Sequence, residues 1–134
     1  MWVQNAAFKI RNFTFLFTSA AVSVEIDINP DGDRSPVNLK SKAVIPVAIL
    51  TTDTFDATFV DPLSVEFGPD TALEVHGRGH VEDVDGDNDL DLLLHFRTQE
   101  TSIACGDPFA SLSGETLDGQ TIEGSDSITI VECN

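Results

Sequence analysis

Short apolar runs separated by Gly, Pro, Asn and Asp recur along the chain at intervals of about ten residues. Several of these runs alternate apolar with polar positions or are rich in Val, Ile, Phe and Thr, as half-buried β-strands are. The pattern predicts strands over residues 13–17, 22–28, 43–51, 63–67, 73–76, 90–97, 110–116 and 127–132. No amphipathic helix is evident, and residues 53–60 are expected to form at most one helical turn.

The spacing of the strands and turns favours an all-β fold. We expect a β-sandwich, immunoglobulin-like or jelly-roll-like, of about 7–9 strands. Asp118-Gly119 and Glu123-Gly124 are hairpin turn signals, and they predict a β-meander in the C-terminal third. Pro46 interrupts an otherwise apolar run, which predicts an edge strand or a bulge because proline cannot donate to a β-ladder.

The N-terminal segment has two interpretations. Two basic residues precede an apolar stretch and small residues, which are the parts of a signal peptide. Phenylalanines at alternate positions between residues 13 and 17 instead suit a half-buried strand. We therefore predict residues 1–23 to be a strand or a signal-like segment, and residues 24–134 to be the β-sandwich domain. No apolar run approaches the roughly 18 residues of a membrane span.

The charge balance is strongly acidic. Seven Lys and Arg face 23 Asp and Glu in 134 residues, a formal net charge of −16. Such a surface repels nucleic-acid phosphates and anionic lipid headgroups, so both are excluded as partners. Part of the acidity is clustered, which indicates carboxylates gathered to hold a cation.

The clustered acids lie between residues 82 and 91, where six of ten residues are acidic. Asp83, Asp85 and Asp87 occupy positions 1, 3 and 5 of an EF-type loop. Asp89 at position 7 would offer its backbone carbonyl, and Asp91 at position 9 would bind directly or through water. The spacing predicts a Ca²⁺ site in preference to Mg²⁺, which demands stricter octahedral geometry.

The rest of the segment argues against a true EF-hand. Asn88 takes position 6, where a residue must tolerate the left-handed conformation. Leu94 stands at position 12, where an EF-hand has a bidentate Glu. An apolar run follows the loop, so we expect a calcium loop between β elements.

A second stretch repeats this spacing more weakly. Oxygen-bearing side chains fall at positions 1, 3, 5, 7 and 9 of a loop with glycine at position 6, and these residues are Asp27, Asn29, Asp31, Asp33 and Ser35. An ordinary Pro/Asp/Gly turn after a strand explains the same residues equally well.

Residues 83–94 resemble the calcium loops of FG-GAP and VCBS repeats and of thrombospondin type 3 and dockerin modules, with their D-x-D-x-D-G-x-x-D theme. Residues 38–50, 80–87 and 94–101 are similar to segments of a family of uncharacterised bacterial and archaeal extracellular domains. The resemblance implies export and a β-rich module, and it implies no activity.

The three histidines, His76, His80 and His95, lie within twenty residues. If the strands flanking the acidic loop pair, His80 and His95 could bind zinc together with Glu82. Alternatively, His95 alternates with core residues and His80 caps a turn. Nucleophile-elbow, H-E-x-x-H and phosphate-loop motifs are absent from the sequence.

Cys105 and Cys133 are the two cysteines. In an exported protein they predict one disulfide, which would contribute about 3–4 kcal/mol in the chain-entropy model. In a cytosolic protein they would be free thiols.

These patterns together predict a non-catalytic, calcium-binding structural or adhesion module, extracellular or on the cell surface. Its expected partners are calcium and either a cell-surface protein or a polysaccharide. The alternatives are a small metal-dependent hydrolase using His80 and His95, or a glycan-binding module. The latter is disfavoured because the sequence has no Tyr and one Trp.

Overall fold

The computed structural model describes residues 21–30 and 36–131. Eleven strands and one short helix, α1 (Thr98–Thr101), lie in these two ranges. The strands are β1 (Val22–Ser23), β2 (Glu25–Ile28), β3 (Pro36–Asn38), β4 (Val44–Leu50), β5 (Glu66–Phe67), β6 (Ala72–Leu73), β7 (His80–Glu82), β8 (Asp91–Arg97), β9 (Phe109–Glu115), β10 (Thr121–Ser127) and β11 (Thr129–Val131).

The strands form an all-β sandwich, as predicted. A five-stranded sheet has the order β1-β10-β9-β5-β6, and a four-stranded sheet has the order β2-β4-β8-β7. A small third sheet pairs β11 with β3 in parallel. The strand count exceeds the predicted 7–9 because short strands join the sheets and because some predicted runs are divided between sheets.

The division of one run is visible at Val24. The predicted strand over residues 22–28 is two strands, of which β1 pairs in parallel with β10 and β2 pairs antiparallel with β4. The Val24 N–H donates to the Glu123 carbonyl at 2.8 Å, and its side chain is buried. The chain therefore crosses from one sheet to the other without leaving the core.

The core lies between the sheets, and β8 shows why. Leu92, Leu94 and Phe96 alternate along β8 and are almost fully buried. The ring of Phe96 packs against that of Phe67 in the five-stranded sheet, with centroids 5.1 Å apart. Each such buried side chain contributes roughly 1.5–3 kcal/mol relative to an exposed one. The other face of β8 carries the odd-numbered residues, which include the candidate metal ligands Asp91 and His95.

The prediction for Pro46 was wrong. It lies in β4, which is flanked by β2 and β8, and it pairs with His95. The Pro46 carbonyl accepts the N–H of Asn29, the residue after the end of β2, at 2.7 Å. The N–H and C=O groups of one residue point to the same side of an antiparallel strand. The position of the missing Pro46 N–H therefore faces the end of the ladder between β2 and β4. An interior strand tolerates proline here because only a terminal hydrogen bond is lost.

The C-terminal meander was also partly wrong. Asp118-Gly119 turns the chain between β9 and β10, with Gly119 at φ 89°, as predicted. Glu123-Gly124, however, lies inside β10. A Cβ on Gly124 would lie 2.7 Å from the Val24 carbonyl oxygen, so this glycine allows close strand packing and makes no turn. The last strand, β11, then pairs with β3 instead of β10.

Several other predictions changed in extent. The expected strands over residues 63–67 and 73–76 shrink to β5 and β6, and a 3₁₀ turn occupies Pro62–Ser64. The single turn expected within residues 53–60 is the 3₁₀ turn Ala57–Phe59. The predicted N-terminal strand or signal-like segment lies outside the described residues apart from its last residues. Within the described part of the chain, no helix has the length and apolar character needed to cross a membrane.

Candidate metal centres

The acidic segment is a loop between two paired strands. β7 and β8 run antiparallel, and Glu82 pairs with Asp91 at the open end of the loop. β8 lies inside the four-stranded sheet, whereas β7 forms one of its two edges. The hairpin therefore holds residues 83–90 beyond the end of the sheet, where several side chains can converge on one point.

Four carboxylates of this loop lie together. Asp83, Asp85, Asp87 and Asp91 each offer one oxygen, and these oxygens lie within 4.8 Å of one another. Oxygens on opposite sides of a calcium ion, at 2.3–2.6 Å each, are separated by about 5 Å. The spacing of the four carboxylates is thus compatible with one ion in their centre.

Asp91 anchors this group to the body of the domain. Its side chain is inaccessible to solvent, with a relative exposure of 0%. One carboxylate oxygen accepts the Thr51 N–H at 2.8 Å, and the other accepts the Val84 N–H at 3.0 Å. Asp91 therefore joins the start of the loop, the end of β4 and the start of β8.

Asp83 organises the backbone of the loop. Its carboxylate accepts the N–H groups of Gly86, Asp87 and Asn88 at 2.8, 3.2 and 2.9 Å. Gly86 and Asn88 both have positive φ, 76° and 74°, which winds the loop around this carboxylate. The left-handed conformation predicted for Asn88 is present.

The carboxylates carry opposite pKa shifts. Desolvation, the hydrogen bond with Asp87 and the charge of Asp91 raise the pKa of Asp85 to about 6. Desolvation opposes ionisation of Asp83 too, but hydrogen bonds from the N–H groups of Asn88 and Gly86, from the Asp85 side chain and from the Asp87 N–H outweigh it and lower the pKa of that carboxyl. The loop thus stabilises the negative charge of Asp83 and disfavours that of Asp85. A bound cation would remove this conflict.

The side chain of Asp89 is not among the four converging carboxylates. Its N–H donates to Asp87 at 2.9 Å. Its predicted ligand is the backbone carbonyl, and this role stays a prediction. Leu94, at the twelfth position, lies in the middle of β8 and is fully buried in the core, so the loop has no bidentate acid there.

The second predicted loop is described only at its start. Asp31, Asp33 and Ser35 lie outside the described residues, so that site stays a prediction. Asn29 has φ 55° and donates its side-chain amide to the Pro36 carbonyl at 3.0 Å. Burial, followed by the charge of Asp126, raises the pKa of Asp27.

The three histidines form a separate group. One ring nitrogen from each of His76, His80 and His95 lies within 4.8 Å of the other two. Their ring centroids are 5.5–5.7 Å apart, and every pair of rings is close to perpendicular, at 78–81°. The structure thus brings His76 to the pair that the sequence had grouped with Glu82.

Glu74 supports this group from beneath. Its side chain is 1% exposed, and its carboxylate accepts the N–H groups of His76, Arg78 and His95. Desolvation opposes its ionisation, but these hydrogen bonds lower the pKa of Glu74. One of its oxygens lies 3.3 Å from Nδ1 of His76 and 3.8 Å from Nδ1 of His95.

Sequence reasoning missed both Glu74 and the place of His76. The available signal was the spacing of His76 and His80 around a bend with glycines at 77 and 79. Glu74 offered no signal in the sequence, because its role depends on contacts with β8.

Cys105 is described, whereas Cys133 lies beyond the last described residue. The predicted disulfide between them therefore stays a prediction.

No protein-family model matches the chain, and neither a curated protein nor a solved structure matches it.

Proposed function

We propose that the protein is a non-catalytic, calcium-binding extracellular module with a structural or adhesive role, and that Ca²⁺ binds in the loop of residues 83–91. The observation that carries this proposal is the convergence of four carboxylates within 4.8 Å around a buried anchor, Asp91. Four acids in one small volume repel each other unless a cation compensates them.

Calcium suits this loop better than magnesium. The four carboxylates and a backbone carbonyl supply oxygens from a loop of flexible shape, and calcium accepts six to eight oxygens at 2.3–2.6 Å. Magnesium requires near-ideal octahedral geometry at 2.0–2.1 Å and keeps most of its water. A loop exposed to solvent leaves room for the one or two waters that would complete a calcium shell.

The position of the loop supports a structural role. All three residues of β7 are exposed, so apolar burial contributes little to holding this edge strand. A calcium ion bound to Asp83 at the end of β7 and to Asp91 at the start of β8 would clamp the two strands together. The ion would thus stabilise the exposed edge of the four-stranded sheet.

An extracellular setting agrees with the expected affinity. The loop lacks a bidentate acid at its twelfth position, which is Leu94. Calcium sites of extracellular modules bind at about 10⁻⁴–10⁻³ M, so they need no stronger ligand set. The acidic surface and the resemblance to exported bacterial domains support the same location, where a cell-surface protein or a polysaccharide would be the partner.

Thermal unfolding with calcium and with a chelator tests this function. At a calcium concentration 100 times the dissociation constant, binding to one site adds about 2.7 kcal/mol to the free energy of unfolding. Asp85→Asn should remove this increment, whereas Asp53→Asn, at an exposed aspartate outside the loop, should keep it. A melting temperature that does not respond to calcium would refute the proposal.

A further inference from the structure

The backbone brings the histidines together through a bend in the edge segment. Glu74 forms an isolated bridge with Phe96, and the Val75 N–H donates to the His95 carbonyl at 2.9 Å. The chain then leaves β8 and pairs with it again at His80, opposite Leu93. His76 and His80 therefore lie at the two ends of the bend.

The bend is tightly packed against β8. A Cβ on Gly79 would lie 2.3 Å from Cδ1 of Leu92 and 3.1 Å from Cδ2 of Leu94. Gly77 takes φ 70°, which a larger residue adopts only with strain. Both glycines hold the bend in a shape that turns the two histidine side chains toward the outward-facing side chain of His95.

The arrangement of the rings matches a three-histidine metal site. A tetrahedral zinc ion at about 2.0–2.1 Å from three imidazole nitrogens would place the ring centroids about 5.2 Å apart. The observed separations of 5.5–5.7 Å differ from this by less than the reach of small side-chain rotations. Mutually perpendicular rings also allow three nitrogens to approach one point without ring contacts.

The environment of His95 supplies an independent observation. Its Nδ1 is buried and is the one buried side-chain polar atom without a hydrogen-bond partner in the described part of the chain. That atom faces the Glu74 carboxylate at 3.8 Å, and Nδ1 of His76 faces the same oxygen at 3.3 Å. Metal-bound histidines commonly donate their second N–H to a carboxylate, which fixes ring and tautomer.

We propose that His76, His80 and His95 form a binding site for a divalent transition metal of the zinc class, separate from the calcium loop. Three neutral imidazoles suit zinc, copper, iron or nickel, whereas calcium takes oxygen ligands. His76 and His80 are exposed, so a fourth position on the metal faces solvent and would hold water. Glu74 would orient two of the rings from behind and contribute a compensating negative charge.

Cobalt(II) titration of the whole, calcium-saturated chain tests this site, because tetrahedral cobalt gives intense visible absorption bands. We expect saturation at one cobalt per chain and displacement by an equivalent of zinc. His76→Ala and His80→Ala should each weaken binding by about 100-fold or more, since even second-shell changes cost 10–100-fold. Both side chains are exposed, and melting curves recorded without transition metal verify folding.

Two control variants separate this site from its neighbours. Arg78→Ala, in the same bend, and Asp85→Asn, in the acidic loop, should bind cobalt as the unaltered chain does. Absence of saturable cobalt binding to the unaltered chain would overturn the proposal. So would cobalt affinities of both histidine variants equal to that of the unaltered chain. Loss of cobalt binding in Asp85→Asn with retention in the histidine variants would overturn it too, because the ion would then lie in the acidic loop. The calcium dependence of the melting temperature, recorded in buffer free of transition metals, reports separately on the proposed calcium site.

Discussion

Asp91 and Asp85 belong to the same carboxylate group, yet their replacement by asparagine should affect the calcium-free protein in opposite ways. Asp91 is buried and accepts two backbone N–H groups, from Thr51 and Val84. Asp85 is exposed, and its raised pKa of about 6 shows that its charge is disfavoured in the folded loop. The Asp91 carboxylate therefore stabilises the fold, whereas the charge of Asp85 is unfavourable unless the proposed cation is bound.

The magnitude for Asp91 follows from its two hydrogen bonds. An asparagine can accept only one of the two N–H groups, because its amide nitrogen is a donor. A hydrogen bond to a charged acceptor contributes about 1.5–3 kcal/mol, and a buried N–H left without a partner costs about 1–3 kcal/mol. Asp91→Asn should thus lower the free energy of unfolding by about 2–4 kcal/mol without calcium. For a domain of this size, the melting temperature should fall by about 8–16 °C.

Urea unfolding in the presence of a chelator measures this difference. Asp85→Asn should leave the stability of the calcium-free protein unchanged or raise it, because it removes a repulsive charge. With calcium present, both variants should lack the calcium-dependent increment expected for the unaltered chain. If Asp85→Asn destabilised the calcium-free protein as strongly as Asp91→Asn does, the assignment of an anchor and a free ligand would be wrong.

Three further predictions concern pH, packing and the cysteines. The proposed calcium site requires ionised Asp85, whose pKa is raised to about 6. Calorimetry on the unaltered chain should therefore show calcium affinity falling by up to about tenfold per pH unit below 6, and an affinity that stays constant between pH 5 and 7 would contradict this role of Asp85. The free energy of unfolding of the calcium-free protein should depend on pH in the opposite direction. A raised carboxyl pKa favours the folded state at low pH, so the stability that Asp85 contributes is lost as the pH rises through about 6. Gly79→Ala should destabilise the domain by about 1–3 kcal/mol in denaturant unfolding, because the new methyl group would overlap Leu92; unchanged stability would show that the bend relaxes freely. Mass spectrometry after alkylation without reductant should find Cys105 and Cys133 unlabelled in protein folded under oxidising conditions, whereas two labelled thiols would contradict the disulfide.

The loop of residues 83–91 was predictable because its ligands are close in sequence. Alternate aspartates and a residue that tolerates positive φ bring carboxylates together through local backbone geometry alone. The same reasoning could not show that Asp91 is buried, since its two N–H partners include Thr51, forty residues earlier. The local pattern therefore predicted the candidate ligands, while long-range packing distinguished the anchor from the exposed ligands.

The histidine group illustrates the opposite case. The sequence placed three histidines within twenty residues but paired two of them with Glu82. Which acid lies behind them depends on how the segment from Glu74 to His80 runs along β8. The bridge between Glu74 and Phe96 sets that course, and it joins residues that no local periodicity relates.

By itself, the sequence determined the all-β class, most of the longer strands and the acidic loop. These depend on the two-residue period of a strand and on ligand spacing within one turn of chain, and both act between near neighbours. The order of strands was decided only by tertiary structure, as Pro46 in an interior strand and Gly124 in the middle of β10 show. The structural effect of a proline or a glycine depends on the segment that lies opposite it. Pro46 lies opposite the end of β2, and Gly124 lies against the backbone of Val24. The neighbour across a sheet is chosen by the burial of the whole core, which no single segment encodes.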